Sequence, residues 1–304
     1  MPHIEPPQRL VRALSESVPG AAGWLAELPA AVERAVAVCG VSVERVQVPG
    51  GRSSLVVLVR RGDGSPAVLK VAPERFRPGA ELAALTHWGG LGAVQVLPGE
   101  GEGVLLLERL RPDVSVRTLP EAKATLEAAG ALRRLWVEPP AEGAGGAGVF
   151  ETVAERTGRQ AEAMRATDHG DAAVGALVDA ALGVRAELVA SAPEVRLLHG
   201  TFRQSKVLAG ERSPWLAVGP DPVVGECAFD LARLVRDRVE DLVGSPSGAA
   251  VARRRVKKLA EALDVDQERL RGWVLFRAVE SGVRAMRVGR AGDAELLLEF
   301  AGWL

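Results

Sequence analysis

The sequence predicts an α+β protein in which a small β-rich lobe is followed by a larger helical lobe. Two β-rich runs, 54–60 and 67–72, flank a turn that contains two glycines. From residue 111 onward apolar residues recur mainly at helical spacing. A segment at 196–232 interrupts that pattern with three short strands and a polar loop. With 304 residues and 47% hydrophobic content, the chain can form one large or two modest cores.

Charge, apolar runs and cysteine spacing indicate which partners and which cellular compartment to expect. The net charge of −1 gives no reason to expect a nucleic acid or a membrane surface as partner. No apolar run approaches the ~20 residues needed to span a bilayer, and the first seven residues lack the basic-then-apolar order of a signal peptide. Cys39 and Cys227 have no zinc-ligand spacing, and His3, His87 and His169 show no metal spacing either. A reduced, cytoplasmic setting is therefore expected.

The predicted N-terminal lobe spans residues 1–109. Two helices, 7–17 and 20–39, come first, with apolar residues at helical spacing. A loop of sequence Pro-Gly-Gly-Arg-Ser-Ser then precedes the strand at 54–60. Backbone N–H groups of such a loop can contact phosphates, and the candidates are Gly51, Ser53 and Ser54. An ordinary Gly-Gly turn is the alternative.

The predicted C-terminal lobe spans residues 110–304. It follows two further strands, 94–97 and 103–107, and a segment at 106–110. Helices are predicted at 119–137, 151–167, 171–190, 229–243, 249–263, 266–289 and 292–304. A segment rich in Gly, Ala and Pro, 139–148, is predicted to be a flexible loop. The basic run at 253–258 is interpreted as a solvated helix face.

The segment 196–232 carries the most specific pattern. A strand ending at Leu198 leads into His-Gly-Thr at 199–201, and a polar loop with Lys206 leads into a second strand. A third strand, 215–218, precedes Gly-Pro-Asp at 219–221. An amphipathic helix then begins at Cys227. Three short strands that place a loop beside a chain break are how kinases build the floor of a catalytic site.

This pattern resembles the aminoglycoside and hydroxyurea phosphotransferases, a family of antibiotic-resistance kinases with a protein-kinase-like, two-lobe fold. The family loop reads His-Gly-Asp-Leu-His-x-x-Asn, and a later strand ends Ile-Asp-Pro ahead of Val-Gly-Asp-Pro-Ala-Phe-Asp-Leu-Ala. The resemblance is strongest over 54–110 and 197–234. Residues of the pattern that this chain retains are His199, Gly200, Val207, Leu208, Pro220, Val224, Gly225, Ala228, Phe229, Asp230, Leu231 and Ala232.

The resemblance implies roles for several residues of the N-terminal lobe. Lys70 would contact nucleotide phosphates, with Glu81 pairing with it and aiming it. Backbone groups from Glu108 to Leu110 would bind adenine, and ATP is the implied cofactor. An apolar slot for the base would be lined by Val56, Val68, Leu107 and either Val207 or Leu216. The alternatives are a solvated strand lysine and ordinary core residues.

The resemblance also assigns roles in the C-terminal lobe. His199 and Asp230 would brace the loop backbone. Three other positions depart from the family: Thr201 replaces the catalytic aspartate, Lys206 the metal-binding asparagine and Gly219 the metal-binding aspartate. A threonine hydroxyl is a poor proton acceptor, and neither Lys206 nor Gly219 offers the oxygen ligand that magnesium prefers. No catalytic or metal-binding residue is therefore intact.

Three interpretations of the function are compatible with the sequence. Each replacement adds one positive charge, so the total gain of three exceeds the charge of one Mg²⁺. The first reading is a pseudokinase in which Lys206 and Lys70 hold nucleotide, or another anion, without magnesium. The second is an active phosphotransferase whose metal site is rescued by Asp221 or Glu226. The third is a non-catalytic protein-interaction module. A cationic small molecule is a further candidate ligand, contacted by acidic residues at 240, 241 and 280, for which ordinary surface charges are the alternative.

Overall fold

The structure is a computed structural model that describes residues 4–17, 20–101, 103–141 and 148–304. The chain forms two compact units: unit 1 comprises residues 1–114 with 208–221, and unit 2 comprises 115–207 with 222–304. The sequence had assigned all of 110–304 to one lobe, whereas 208–221 belongs to unit 1. His3 and most of the loop expected at 139–148 lie outside the described residues.

The helices and strands are numbered here in chain order. The described helices are α1 Gln8–Ser17, α2 Ala21–Cys39, α3 Pro78–Trp88, α4 Glu121–Arg133, α5 Val153–Arg165, α6 Ala172–Ala190, α7 Cys227–Val235, α8 Val239–Val243, α9 Gly248–Leu263, α10 Gln267–Arg287 and α11 Ala291–Ala301. The described strands are β1 Val41–Val46, β2 Leu55–Arg61, β3 Pro66–Val71, β4 Val96–Gly101, β5 Val104–Glu108, β6 Arg111–Ser115, β7 Glu151–Thr152, β8 Arg196–Leu198, β9 Val207–Ala209, β10 Leu216–Ala217 and β11 Val223–Gly225.

Unit 1 is built on an antiparallel sheet of order β1-β2-β3-β5-β4. Because successive side chains point to opposite faces of a strand, each strand contributes to both sides of this sheet. One face forms a continuous core with the two N-terminal helices, and its buried members include Leu10, Leu14, Leu28, Val32, Leu55, Val57, Leu69, Val71 and Leu106. The opposite face carries Val56, Val68, Lys70 and Leu107. In the strand pairing, Val56 lies opposite Lys70 and Val68 lies opposite Leu107.

The segment 208–221 is tied to unit 1 through Arg212. Its guanidinium forms an ion pair with Glu108 at 3.1 Å and donates to the carbonyls of Gly90 and Ala93. The backbone N–H of Ala217 donates to the Gly92 carbonyl at 2.9 Å. These contacts run from the end of β5 to the turn after α3, so the segment is held from two sides.

Unit 2 is organised around α10, which packs against α6, α7 and α11. Trp273 is fully buried and makes edge-to-face contacts with Phe229 and Phe276. A small sheet of order β7-β11-β8 supports the loop at 199–206, which follows β8 directly. Among the described residues, no helix combines the length and apolar character that a bilayer span requires.

The structure differs from the sequence-based prediction at several elements. The sequence pattern did not predict β1, β6 or β11. Exposed polar residues interrupt the apolar residues of β1 and β6, and β11 has only three residues. The helix expected at 229–243 is two helices, because Arg238 adopts a left-handed conformation with φ 57°. Leu126 of α4 is 66% exposed, and the buried face of this helix consists of Leu132 and four small alanines.

Candidate functional site

Lys70 and Glu81 form a buried ion pair in unit 1. β3 carries the lysine on the sheet face opposite the helical core, and α3 places the glutamate in its first turn. The Lys70 ammonium donates to Glu81 Oε2, and the two residues are 9% and 4% exposed. A buried pair of this kind keeps both groups charged only when each compensates the other. The arrangement therefore fixes a lysine ammonium at a defined position.

The hydrogen-bonding capacity of this pair is only partly used. Within the described chain, Lys70 makes no hydrogen bond other than the one to Glu81. An ammonium has three N–H donors, so two remain. Glu81 Oε1 is likewise buried without a hydrogen-bond partner among the described residues. Because leaving buried polar groups unpaired is costly, both atoms favour a polar ligand or water at this point.

The glycine loop connects β1 and β2 and is folded tightly on itself. Gly50 has φ 69°, and a Cβ at that position would lie 2.8 Å from the Gln47 carbonyl oxygen. Ser54 is only 3% exposed, whereas Gly51 and Ser53 are partly exposed. Of the three candidate residues, Gly51 and Ser53 are thus more exposed than Ser54.

At the end of β5, the Glu108 side chain is occupied by the ion pair with Arg212. Its backbone N–H donates to the Gln95 carbonyl at 2.9 Å. Leu110 lies between β5 and β6, outside both strands, and is 7% exposed. Of the two residues suggested for adenine, Leu110 therefore has the backbone less committed to strand pairing.

Gly219 and Asp221 lie at the end of the segment that belongs to unit 1. Gly219 has φ 61°, a left-handed conformation that favours glycine. Asp221 Oδ1 accepts a hydrogen bond from Arg77 at 3.0 Å. Arg77 is the N-cap residue of α3, so this carboxylate anchors the start of the helix that carries Glu81. Asp221 thus has a structural partner in unit 1.

In unit 2, Asp230 braces the loop that begins at His199. Its two carboxylate oxygens accept hydrogen bonds from the backbone N–H groups of His199 and Gly200, at 2.8 and 3.0 Å. Arg277 donates to the carbonyls of Gly200 and Phe229, both at 2.7 Å. Burial raises the pKa of Asp230, while the Arg277 cation and the two N–H donors oppose that change. The loop backbone is held by charged groups on both sides.

Thr201 and Lys206 are hydrogen-bonded to each other within this braced loop. The Lys206 ammonium donates to Thr201 Oγ1 at 2.6 Å. The intervening turn is fixed by Asp237, which accepts from the Gln204 backbone N–H at 2.6 Å. The Lys206 ammonium occupies one lone pair of the hydroxyl oxygen. Neither an ammonium nor a neutral hydroxyl is a good proton acceptor. The loop thus presents an ammonium–hydroxyl pair and no carboxylate at these positions.

Glu226 has a different role from the metal rescue considered above. It is 2% exposed, and its oxygens accept from both Arg269 nitrogens at 2.6 and 2.7 Å and from Trp273 Nε1 at 2.6 Å. These three hydrogen bonds tie α10 to the start of α7. Most of the hydrogen-bonding capacity of Glu226 is thus used within this structural network.

At the positions where the family pattern has metal ligands, neither unit by itself offers the oxygen side chains that magnesium prefers. Magnesium requires several oxygen ligands, yet Gly219 has no side chain and Lys206 presents a cation. The nearest carboxylates in sequence, Asp221 and Glu226, are paired with arginines. Within the part of the chain that the structure describes, no group of three or more His, Cys, Asp or Glu residues is arranged to hold a metal.

Arg277 is the residue at this site that the sequence did not predict. It is 8% exposed, and its guanidinium lies 4.1 Å from the centre of the Phe229 ring. It is 77 residues from Gly200 in sequence, to which it donates. A lone arginine in a regular amphipathic helix gives no local signal, so only the tertiary fold reveals this contact.

These features define a kinase-like fold. A solved spectinomycin phosphotransferase, in complex with ADP and spectinomycin, superimposes with a TM-score of 0.61 at 12% identity, covering 90% of this chain and 97% of the other. The GDP complex of an aminoglycoside 2'-phosphotransferase gives a TM-score of 0.63 at 17% identity, covering 91% and 98%.

Sequence comparison gives the family. A family model described as aminoglycoside/hydroxyurea antibiotic resistance kinase matches residues 40–289, and the chain belongs to this family. Streptomycin 6-kinase of Streptomyces griseus is 35% identical, over 97% of each chain. Hydroxyurea phosphotransferase of Kitasatospora aureofaciens is 35% identical over 83% of this chain and 74% of its own length. The family and the fold inferred from the sequence are thus confirmed.

Proposed function

We propose that this protein is a pseudokinase of the family, which binds a nucleotide such as ATP without magnesium and does not transfer its phosphate. The observation that carries the proposal is the hydrogen bond of 2.6 Å between Lys206 and Thr201. In the family pattern these two positions supply a metal ligand and the general base. Here they supply an ammonium cation and a hydroxyl that accepts a hydrogen bond from it.

Loss of the base alone removes a large part of the rate. A positioned general base contributes about 10²- to 10⁴-fold, and Thr201 cannot replace it because a neutral hydroxyl is a poor proton acceptor. Loss of the metal removes electrostatic stabilisation of the transferring phosphoryl group as well. Neither Asp221 nor Glu226 supports a rescue, since each has an arginine partner.

Nucleotide binding is supported by what unit 1 retains. Lys70 is held by Glu81 and has donors to spare, which suits phosphate oxygens. Solved relatives of this fold carry ADP or GDP. The three replaced positions add three positive charges relative to the family pattern, more than a magnesium ion would supply. Lysine charge can therefore take over the neutralising part of the metal's role.

Thermal unfolding of the full-length protein with ATP tests this proposal. We expect the rise in Tm to be the same in EDTA as in excess magnesium, and a ligand at 100 times its Kd adds about 2.7 kcal/mol. Lys70→Gln should reduce the rise strongly, whereas Lys257→Gln, at an exposed lysine, should leave it unchanged. Binding that appears only with magnesium would contradict the proposal.

A second assay addresses the activity that the relatives' names suggest. The protein is incubated with ATP, magnesium and either streptomycin or hydroxyurea, and products are read by mass spectrometry. We expect no phosphorylated product. Turnover would establish an active phosphotransferase, and the absence of both turnover and nucleotide binding would favour the protein-interaction module.

A further inference from the structure

Two residues, Arg109 and Leu110, form the linker between β5 and β6 in unit 1. Within the described chain, neither the backbone N–H nor the backbone C=O of Leu110 has a hydrogen-bond partner, although the residue is only 7% exposed. Buried backbone groups are nearly always paired. This donor and acceptor therefore favour a ligand that carries both an acceptor and a donor, as the edge of a nucleobase does.

The Arg109 side chain anchors this linker to three neighbouring strands. Its Nε donates to the Ala67 carbonyl of β3 at 3.1 Å, and its Nη2 donates to the Val59 carbonyl of β2. Its Nη1 donates to the Glu44 carboxylate of β1. The side chain is 16% exposed, so these bonds are partly shielded from water. A rigid, planar guanidinium with this set of partners restrains the backbone that carries it.

A β-bulge presents Glu44 to this arginine. The pairing of β1 with β2 shifts register between Val43 and Arg45, so Glu44 is the extra residue of β1. Its two carboxylate oxygens pair with different partners, one with Arg109 and the other with Arg60. The hydrogen bond from Arg109 is the main cause that lowers the pKa of Glu44. The bulged residue therefore offers an ionised carboxylate to the linker.

The residues on either side of Arg109 are restrained by the segment 208–221 of the same unit. Glu108 forms its ion pair with Arg212 at 3.1 Å. Gly210 approaches Leu110 so closely that a Cβ on the glycine would lie 3.2 Å from the leucine Cδ2. The linker backbone is thus fixed in the unliganded protein, and such preorganisation lowers the ordering cost of binding.

We propose that Arg109 is a positioning residue for nucleobase recognition. It holds the Leu110 N–H and C=O where the base of a nucleotide pairs with them, and Glu44 fixes Arg109 in turn. This inference rests on the proposed nucleotide binding and divides that binding between two places in unit 1. Lys70 determines the affinity for the phosphates, whereas Arg109 determines the affinity for the base, acting through the linker backbone.

Calorimetric titration of the full-length protein in EDTA, with ATP and with inorganic tripolyphosphate, separates the two parts. Both ligands carry a chain of three phosphates, so the ratio of their Kd values reports what the nucleoside adds. We expect the wild type to bind ATP more tightly than tripolyphosphate. Arg109→Lys keeps the charge without the planar fork, and should weaken ATP binding about 10-fold while tripolyphosphate binding is unchanged. Lys70→Gln should weaken the binding of both ligands.

Arg60→Gln is the matched control, because it removes the other arginine partner of Glu44. The side chain of Arg60 contacts Glu44 and Gly64, and this variant should leave both Kd values as in the wild type. If Arg109→Lys folds poorly, Glu44→Ala at an exposed position replaces it. That variant should weaken ATP binding about threefold, again with tripolyphosphate binding unchanged.

Different results overturn the inference and the proposed function. A wild type that binds neither ligand would refute nucleotide binding, and the role of Arg109 with it. Equal affinity of the wild type for both ligands would show that the base is not recognised, while phosphate binding by Lys70 stands. The positioning role is also wrong if folded Arg109→Lys, or Glu44→Ala in its place, keeps the wild-type ratio of Kd values. A loss of ATP affinity in Arg60→Gln as large as in Arg109→Lys would assign the effect to the sheet in general.

Discussion

The Lys70–Glu81 pair of unit 1 and the loop at 199–206 of unit 2 differ in how many residues of the family pattern they retain. In unit 1, Lys70 and Glu81 keep both the residue types and the contact that the family pattern implies. In unit 2, Asp230 and Arg277 hold the loop backbone firmly, yet the loop presents Thr201 and Lys206 in place of acidic and amide groups. A loop scaffold is therefore stable without its reactive groups, since the bracing carboxylate lies outside the loop.

The largest expected effect comes from restoring the family residues in one variant, Thr201→Asp, Lys206→Asn and Gly219→Asp. If the loop scaffold is intact, this variant should phosphorylate a family acceptor at least about 10²- to 10⁴-fold faster than the wild type, the range for one general base. Product formation from streptomycin or hydroxyurea, followed by mass spectrometry, measures this.

The matched control for that restoration is the same triple variant with Lys70→Gln added, which should again be inactive. If the wild type phosphorylates the acceptor as fast as the restored variant does, the pseudokinase proposal is wrong, and the units do not differ in retained chemistry. Gain of activity without dependence on Lys70 would mean that unit 1 does not hold the nucleotide as proposed.

The next effect concerns stability and tests the scaffold of unit 2. Asp230→Ala leaves the buried Arg277 cation without its carboxylate and two backbone N–H groups without an acceptor. Breaking one partner of a buried pair costs about 3–5 kcal/mol. Urea denaturation should report a loss of this size, whereas Asp241→Ala on an exposed helix face should be close to neutral. A neutral Asp230→Ala would show that the loop does not rely on this bracing.

A smaller effect separates the two lysines. Lys70→Met should weaken magnesium-free ATP binding about 10- to 100-fold, because a charge-assisted hydrogen bond contributes about 1.5–3 kcal/mol. Lys206→Met removes the proposed metal substitute, so its ATP affinity should fall and become dependent on magnesium concentration. Isothermal titration with and without EDTA measures both. If Lys206→Met binds as the wild type does, the gained lysine has no role in holding phosphates.

The sequence predicted the contacts that lie within one motif or between adjacent elements. Lys70 and Glu81 are 11 residues apart, on a strand and the next helix. It could not predict the role of Arg277, because an arginine on an amphipathic helix gives the same local pattern as a solvated charge until the fold brings other elements beside it. It also could not foresee that Asp221 and Glu226 have arginine partners, 144 and 43 residues away. Ion pairs between residues so far apart in sequence depend on tertiary packing, which local sequence patterns do not reveal.

The smallest effect concerns Gly219 and tests whether the backbone of unit 1 has adapted to losing its aspartate. With φ 61°, this residue sits where a side chain with Cβ costs roughly 1–2 kcal/mol, and asparagine or aspartate less than others. Urea denaturation of Gly219→Ala should therefore show a loss of about 1–2 kcal/mol, with Gly219→Asn and Gly219→Asp losing less. Gly175→Ala, inside α6 where φ is helical and a Cβ meets open space, should instead stabilise by a few tenths to 1 kcal/mol. Equal stability of Gly219→Ala and the wild type would mean that the backbone relaxes freely at this point, and that the restored aspartate carries no conformational cost.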